Sequence, residues 1–497
     1  MKVLWNPFKN PYKNDLSIGN GVHSFSEKII FLLRECLGIK GNCYICGMQN
    51  AGMEYLNSRL MFGMVPGLES TRKLCDALGN PQKKFKTIHV VGTNGKGSTS
   101  YYLSGILKAH GFRTALYTSP HLVNLRERIR VDDEPIPEEN LDRYLLQVKS
   151  AAELVNQNVP EENRIEPTFF EVLTLVAFLH YANEGVEVAV LEAGMGGRLD
   201  STAVADGKFI VLTSIGLEHT EVLGSTESAI LKEKMGVAGT MPEVAQSKTF
   251  ILGGLSEELV SEARAYAASL LANVVIPKIR SDIELPNLGQ HYVENASLSL
   301  MAAKYVCDFL PAMGFTRAIT YNDSLAIESL KNRSWAGRMQ LLRDGSGKVR
   351  YILDGAHNSH AVRRLVQALD RYYPGEKFHC VFGALKDKDV DEMLKLMAPY
   401  VSHWHITKTP YARFRELDDL RGLLAGLGLN VASEGELTRT FLDDVRYVSD
   451  LSPENKELPV LITGSLYMIG ECVQALKADY EGLAFFRGLE PTTNEHR

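Results

Sequence analysis

The sequence predicts an α/β protein: a P-loop-type domain built on a mostly parallel sheet, followed by a smaller Rossmann-like α/β domain. Three observations predict it. From Lys86 onward, apolar β-branched runs alternate with helical patterns, as in a parallel sheet covered on both faces. One of those runs ends in the glycine-rich turn "GTNGKGS". The alternation then pauses at "KNRSWAGRMQ" and restarts, which divides the chain in two. A length of 497 residues is too great for one ordinary core and suits two α/β domains or three smaller ones.

Taken in order, "TIHVVGT" reads as a buried strand and "STSYYLSGILKAHG" as the helix after it. "RTALYTS" follows, then a helical "TFFEVLTLVAFLHYANEG", the strands "VEVAVLEAG" and "FIVLTSI", a helical "STESAILKEKMG" and the strand "KTFILGG". After the helical "VENASLSLMAAKYVCDFL" and the pause, the second unit runs strand "VRYILDG", helix "HAVRRLVQALDRYY", strand "FHCVFGA", helix "VDEMLKLMAPY", strands "HWHIT" and "LPVLITGS", and helix "LYMIGECVQALK". The expected boundaries are an extension over 1–50, a first domain over 51–331, a linker over 332–337, a second domain over 338–480 and a tail over 481–497. The extension is rich in Asn and Lys and lacks the apolar core of a secretory signal. Only Phe25–Leu37 within it has a one-faced apolar pattern, which predicts a short helix.

Composition narrows the class. The chain is 45% apolar and 23% charged, as soluble globular proteins are. A formal charge of -6 gives no support to a nucleic-acid or membrane-surface partner. No apolar run reaches the roughly 20 residues that span a bilayer. Most of the seven cysteines sit singly in apolar segments, as buried thiols do, which points to a reducing, cytoplasmic compartment with an organellar copy left open. Cys36, Cys43 and Cys46 cluster, but a Cys-x-x-Cys pair needs further ligands to make a zinc site, and none stands near in sequence.

The glycine-rich turn departs twice from the usual phosphate loop, G-x-x-x-x-G-K-[ST]. Val90 stands where the first glycine belongs, and Gly97 follows Lys96 and delays the hydroxyl to Ser98. Two readings fit the segment, a phosphate cradle or a plain βα turn. The flanking strand and helix favour the cradle, in which Gly92, Thr93, Asn94, Gly95, Gly97 and Ser98 present backbone N–H groups and Lys96 adds charge. Three other strand ends carry polar groups: Ser119, Pro120 and His121; Glu192, Arg198 and Asp200; Glu218 and His219. Ligands in open α/β sheets bind at that edge. A hydroxyl, a carboxylate and an imidazole converging there could hold Mg²⁺. Taken singly, Ser119 reads equally as a turn residue, Glu192 as a paired surface acid and His219 as a helix start.

Together these segments resemble the folylpolyglutamate synthase and dihydrofolate synthase family, a branch of the Mur-type ATP-dependent amide ligases. "FGMVPGLESTRKLCDALGNPQKKFKTIHVVGTNGKGST", "YTSPHLVNLRERIRV", "TFFEVLT", "LEAGMGGRLDST", "LGSTESAILKEKMG", "SWAGRMQ", "LDGAHN", "ALKDKD" and "TGSLYMIGE" follow one another in family order, from about Met53 to about Lys477. The resemblance implies a modified P-loop that binds ATP, and two Mg²⁺ ions. Ser119, Glu192 and His219 would hold the first, with the Ser98 hydroxyl beside it, and a carbamylated Lys234 would stand near the second. It implies a pterin pocket at Pro66, Gly67, Leu68, Thr168, Phe170 and Asp200, and nucleotide contacts from Asn295, Arg338 and Asp354, with His357 near the transferred phosphate. From the residues alone, Phe170 reads equally as core packing and Lys234 as a solvated helix lysine. Two positions depart from the family pattern: Glu218 stands in place of Asp, and Met235 in place of Ala. "GQHYVENAS" matches the adenine-side segment loosely, and the first 50 residues match nothing in it.

The implied activity is ATP-dependent addition of L-glutamate to a folate, and to dihydropteroate, through an acyl phosphate, by a monomer with small-molecule partners only. Two rivals stand beside it. A Mur-type ligase acting on a cell-wall precursor is disfavoured by the "TFFE" segment. A P-loop ATPase or binding module that makes no bond would hydrolyse ATP without regard to glutamate.

Overall fold

The computed structural model describes residues 51–476 apart from 63–66, 240, 246, 310–313, 316–317, 412 and 453–457. The extension with its expected helix, Cys36, Cys43 and Cys46, the pterin-pocket candidate Pro66, and the tail lie outside the described residues.

Eight strands form the first sheet: β1 (Lys86–Val91), β2 (Thr114–Tyr117), β3 (Ile129–Val131), β4 (Glu134–Pro135), β5 (Val188–Glu192), β6 (Gly207–Leu212), β7 (Thr249–Leu252) and β8 (Asn273–Val275). Their spatial order is β4-β3-β2-β5-β1-β6-β7-β8, parallel except at β3 and β4. Helices cover both faces, and so the central strands β1, β5 and β6 are buried at nearly every position rather than at alternate ones. Ile88, Val90, Val188 and Val190 face helices α1 (Lys96–Ala109) and α4 (Gln290–Asp308). Ala189 and Leu191 face α2 (Phe169–Asn183), where Val172 and Val176 are buried. Helix α3 (Glu227–Met235) buries Ile230, Leu231 and Met235 against β6 and β7.

Six strands form the second sheet: β9 (Gln340–Arg343), β10 (Val349–Asp354), β11 (Phe378–Phe382), β12 (Val401–Lys408), β13 (Val431–Glu436) and β14 (Val460–Thr463). The order is β13-β12-β11-β14-β10-β9, and only β9 runs antiparallel to its neighbour. Ile352, Cys380 and Phe382 face one core, where α5 (Ser359–Tyr372) packs, and Tyr351, Leu353 and Val381 face another.

This is the expected two-part α/β fold, with five strands added: β3, β4 and β9, which are antiparallel to a neighbour, and the parallel edge strands β8 and β13. Strands β3 and β4 have three and two residues, too few for a period of two to register. One helix start also differs from expectation. The first helix begins at Lys96 rather than Ser98, because Gly95 takes the left-handed conformation (φ 86°) and turns the chain into the helix at once.

The two sheets are tied by more than sequence. Tyr292, in the first turn of α4, packs into the core of the second sheet, and its hydroxyl donates to Asp354 at 3.3 Å. The connecting segment lies against α1: Arg333 stands 3.9 Å over the Tyr101 ring and pairs with Asp133 at 2.7 Å, and the Trp335 ring packs at a tilt 4.7 Å from Tyr101. Cys75, Cys307, Cys380 and Cys472 are buried free thiols, as their apolar settings suggested. Among the described residues, no helix is long and apolar enough to cross a membrane.

Candidate active site

The site begins where β1 ends. Gly92 has φ 152° and crosses so close to β6 that a β-carbon would stand 1.9 Å from the Thr213 hydroxyl oxygen. A β-carbon on Gly95 would meet the Asn295 amide at 2.7 Å. Both positions therefore need glycine for conformation and for space. Helix α1 has no side-chain N-cap, which leaves its first backbone N–H groups and the positive end of its dipole for an anion. The turn is braced from β6: Thr93 N–H donates to the Ser214 carbonyl at 2.8 Å, and the Thr93 hydroxyl to that of Gly216 at 3.0 Å.

Two ammonium groups meet behind this turn. Lys96 Nζ donates to the carbonyls of Gly92 (2.8 Å) and Thr93 (2.9 Å), and Lys234 Nζ, from α3, donates to the same Gly92 carbonyl at 2.8 Å. Lys234 is buried, with 3% exposure, so it is not the solvated lysine that its helical position suggests. Burial first, and then the charge of Lys96, pull its pKa down to about 7.

The next two strand ends bring the carboxylates. Glu192 closes β5 and is buried; its Oε2 accepts from the Ser119 N–H at 3.1 Å. It is not a surface acid. Burial pushes its carboxyl up to about 7, against the pull of Lys96 and the Ser119 N–H. Glu218 behaves oppositely. Burial alone would raise it, but His357, Lys96 and His219 together hold it well below the usual carboxylate range. His219 sits in the left-handed region (φ 51°) before a short helix, so it is a helix-start residue that also reaches the site. Burial keeps its imidazole on the neutral side of its ordinary value. The second sheet supplies Arg338, Asp354 and His357. Asp354 closes β10 and accepts from the N–H groups of Met339 (2.8 Å) and Ala356 (2.9 Å). His357 Nε2 stands 3.8 Å from Glu218.

These groups line two adjoining cavities. The first, of about 220 Å³, is walled by Thr93 to Ser98, Glu192, Lys234, Asn295, Arg338, Asp354 and His357. The second, of about 430 Å³, is walled by Gly67, Thr168, Phe170, Asp200, Arg128 and Tyr467. Ser119, Pro120, Gly194 to Gly196 and His219 belong to both, so they form the partition.

The donor chemistry suits a hard divalent cation. Glu192 is a buried carboxylate whose one protein donor is weak compensation for a full charge, and a cation beside it would offset the burial that raises its pKa. Serine hydroxyls and a neutral imidazole complete the candidate set. Among the described residues no cluster of three His, Cys, Asp or Glu side chains is poised for a metal, and the expected set includes only Glu192 and His219 of those types.

The Mur ligase middle domain family matches residues 90–252, and the Mur ligase, glutamate ligase domain family matches residues 337–464. Over 442 residues the chain is 30% identical to the dihydrofolate synthase/folylpolyglutamate synthase of Bacillus subtilis, covering 85% of this chain and 98% of that protein. The chain belongs to the dihydrofolate synthase/folylpolyglutamate synthase family. Among solved structures, it is similar to Mycobacterium tuberculosis folylpolyglutamate synthase complexed with ADP and AMPPCP (TM-score 0.74, 25% identity, 89% of this chain and 100% of that one). It is also similar to E. coli FolC in complex with DHPP and ADP (TM-score 0.70, 25% identity, 86% and 98%).

The structure brings the expected nucleotide-side residues Asn295, Arg338, Asp354 and His357 to one cavity, Asn295 included although its segment matched loosely. On the other side, Gly67, Thr168 and Phe170 line the second cavity, while Leu68 stands beside it at the start of the Glu69–Ala77 helix. Phe170 does both things the sequence allowed: its ring packs 5.8 Å from Tyr117 and faces the cavity across Gly194. Asp200 also has structural partners. It lies on the wall, but its oxygens already accept from the N–H groups of Gly194 (2.8 Å), Met195 (3.1 Å) and Thr202 (3.0 Å) and from the Thr202 hydroxyl (2.6 Å), so it braces its own turn. Thr168 likewise caps α2 in a capping box with Glu171.

Sequence reasoning missed His291 and Arg364 on the nucleotide side, His360, which reaches the turn at Asn94 from behind it, and Arg128 and Tyr467 on the other side. His360 and Arg364 are four apart on α5, one helix face, and that spacing was the available signal. Arg128 was hidden in the charge run "RERIR".

Proposed function

We propose that this chain is an ATP-dependent ligase that joins L-glutamate to a folate carboxylate, and to the carboxylate of dihydropteroate. The observation that carries the reading is the shared wall. A phosphate cradle opens into one cavity, a flat pocket with an aromatic wall forms the other, and Ser119 and His219 stand between them. ATP fits the first with its phosphates on the start of α1. The pterin fits the second, edge against the 194–200 turn and face near Phe170, with its carboxylate directed to the partition.

There a carboxylate oxygen of the folate attacks the γ-phosphorus, and ADP leaves. The amine of L-glutamate then attacks the acyl carbon of the mixed anhydride, phosphate departs, and the amine loses a proton to give the amide. Lys96 and Arg338 offset charge on the transferring group. The second sheet closes over the cradle with Arg338 and His357, excluding water that would hydrolyse the acyl phosphate. Ser98, Ser119, Glu192 and His219 would hold one Mg²⁺, which supplies Lewis-acid polarisation of phosphoryl oxygens. Lys234 would serve a second as its carbamate. Its pKa near 7 leaves much of the amine neutral at neutral pH. That amine adds to CO₂, forming an N–C bond and releasing one proton, and becomes an anionic oxygen ligand. The buried free thiols Cys75, Cys307, Cys380 and Cys472 support a reducing compartment such as the cytoplasm.

The deciding assay is ADP release with each pterin, with and without L-glutamate. Release that depends on both supports the ligase; release indifferent to glutamate makes the protein an ATPase. For Lys234, intact-protein mass spectrometry at neutral pH under CO₂ should show the added carboxylate. Lys234→Ala should lose turnover and recover part of it with acetate. An unmodified lysine in active enzyme, or no recovery, removes the carbamate from the mechanism.

A further inference from the structure

His360 touches the phosphate-loop turn from the other sheet. It lies in the first turn of α5, behind the N-cap Asn358, whose Oδ1 accepts from the Ala361 N–H at 2.8 Å. Its Nδ1 lies 2.7 Å from Asn94 Nδ2, the residue before Gly95. An amide nitrogen can only donate, so Nδ1 is the acceptor and the imidazole carries its proton on Nε2. The amides of Asn94 and Asn358 face each other at 3.4 Å, and Asn358 Nδ2 stands 3.4 Å from Glu218. The His360 ring also lies against Gly216, where a β-carbon would come within 3.5 Å of it. Gly216 is the residue that anchors Thr93, and Asn94 is anchored by Ser214 (N–H to Oγ, 3.0 Å) and Thr213 (Oγ1 to the Asn94 carbonyl, 2.6 Å).

One side chain thus contacts both the turn that presents N–H groups to phosphate and the strand end that supports that turn, while belonging to the helix that directly follows His357. We propose that His360 is a positioning residue: a clasp with Asn94 that couples the anion-binding form of the loop to closure of the second lobe. Nucleotide binding and delivery of Arg338 and His357 then occur as one event. The surroundings keep the clasp in its accepting form. Burial, and then Arg364 and Arg363, hold the imidazole below its ordinary pKa, and Glu218 acts against them.

The inference rests on the nucleotide reading of the first cavity but not on the identity of the acceptor. It is therefore tested on Mg·ADP binding by calorimetry, with KM for ATP and kcat measured alongside. His360→Ala and Asn94→Ala should each weaken Mg·ADP by about 3- to 10-fold, the effect of one hydrogen bond. KM for ATP should rise in step and kcat should change less. The double variant should bind no more weakly than the weaker single one. His360→Asn, whose amide oxygen can accept where Nδ1 does, should recover most of the loss, and it carries the test if His360→Ala does not fold. Additive losses, wild-type affinity in His360→Ala, or His360→Asn as weak as His360→Ala would each overturn the clasp. A wild type that binds Mg·ADP but shows no glutamate-dependent turnover would overturn the ligase reading and leave the clasp standing.

Discussion

Both sheets bury ionisable side chains, some at the cavities and some inside strands, as His89 is in β1. In the first, the buried Glu192 and Lys234, with the half-buried Glu218 and the exposed His219, stand beyond or beside the carboxyl ends of strands and line cavities. In the second, His379 and His405 stand inside β11 and β12, each with 1% exposure, and face one another: Nδ1 of one is 3.0 Å from Nε2 of the other. Ser433 bonds the far nitrogen of His405 at 2.7 Å, Ser452 that of His379 at 3.3 Å, and the His403 ring stacks 4.2 Å from His379. Burial, and then His379 and His403, press the pKa of His405 down to about 3, a departure comparable to that at Lys234 and larger than that at Glu192. No cavity described here is lined by these histidines. A perturbed pKa therefore marks a functional site only together with an opening that a ligand can enter.

The largest test of this contrast is Lys96→Ala. It removes a cation fixed at the cradle and should lower kcat by at least about 10²-fold, as loss of a charge-stabilising donor does. The fold should survive, because the two lost bonds run only to the adjacent turn, with a melting temperature within about 4 °C of wild type. Near-normal ligation with an unchanged melting temperature would show that the turn is not a phosphate cradle.

A smaller effect, on stability alone, is expected at the histidines. The folded-state pKa of His405 lies below its unfolded value near 6.5, so the unfolded chain binds the extra proton. Stability from this group is complete above about pH 6.5 and is lost as pH falls toward 3. His405→Gln should therefore flatten the acid limb of the melting-temperature profile between those values and leave kcat at pH 8 unchanged. An acid limb identical to wild type would mean that other groups drive acid unfolding.

The sequence made the strand–turn–helix junctions legible, because glycine, lysine and β-branched residues carry local signals that survive without tertiary context. It made the metal and nucleotide candidates legible only as residues at strand ends. Their burial was not readable: "LKEKMG" looks solvated, and α3 buries Lys234 only because the turn at Gly92 crosses it. The role of Asp200 was unreadable for the opposite reason. Its partners are four backbone and hydroxyl donors of its own turn, which no side-chain pattern announces. The Asn94–His360 contact joins residues 266 apart, and nothing local in either segment encodes it.

The smallest expected effect lies between the two regions, at Trp335. The connecting segment packs its indole on Tyr101 of α1, and a β-carbon on Gly97 would stand 3.0 Å from its Nε1. Three residues further on is Arg338, on the wall of the nucleotide cavity. A shift of either lobe during closure must therefore change the surroundings of this ring. Of the three tryptophans, Trp404 is packed in the second sheet against Phe382 with 2% exposure, and Trp5 lies outside the described residues. In a Trp404→Phe background, Mg·ATP should change the intrinsic emission, and adding Trp335→Phe should remove that change. Phenylalanine keeps a ring on Tyr101, so KM for ATP should move by less than about 3-fold, in line with the modest energy of one aromatic pair. Emission that ignores Mg·ATP while binding is saturated would mean that the lobes and their connection move as one body, and the contrast between ionisable groups at a cavity and those sealed inside strands would then hold without any hinge.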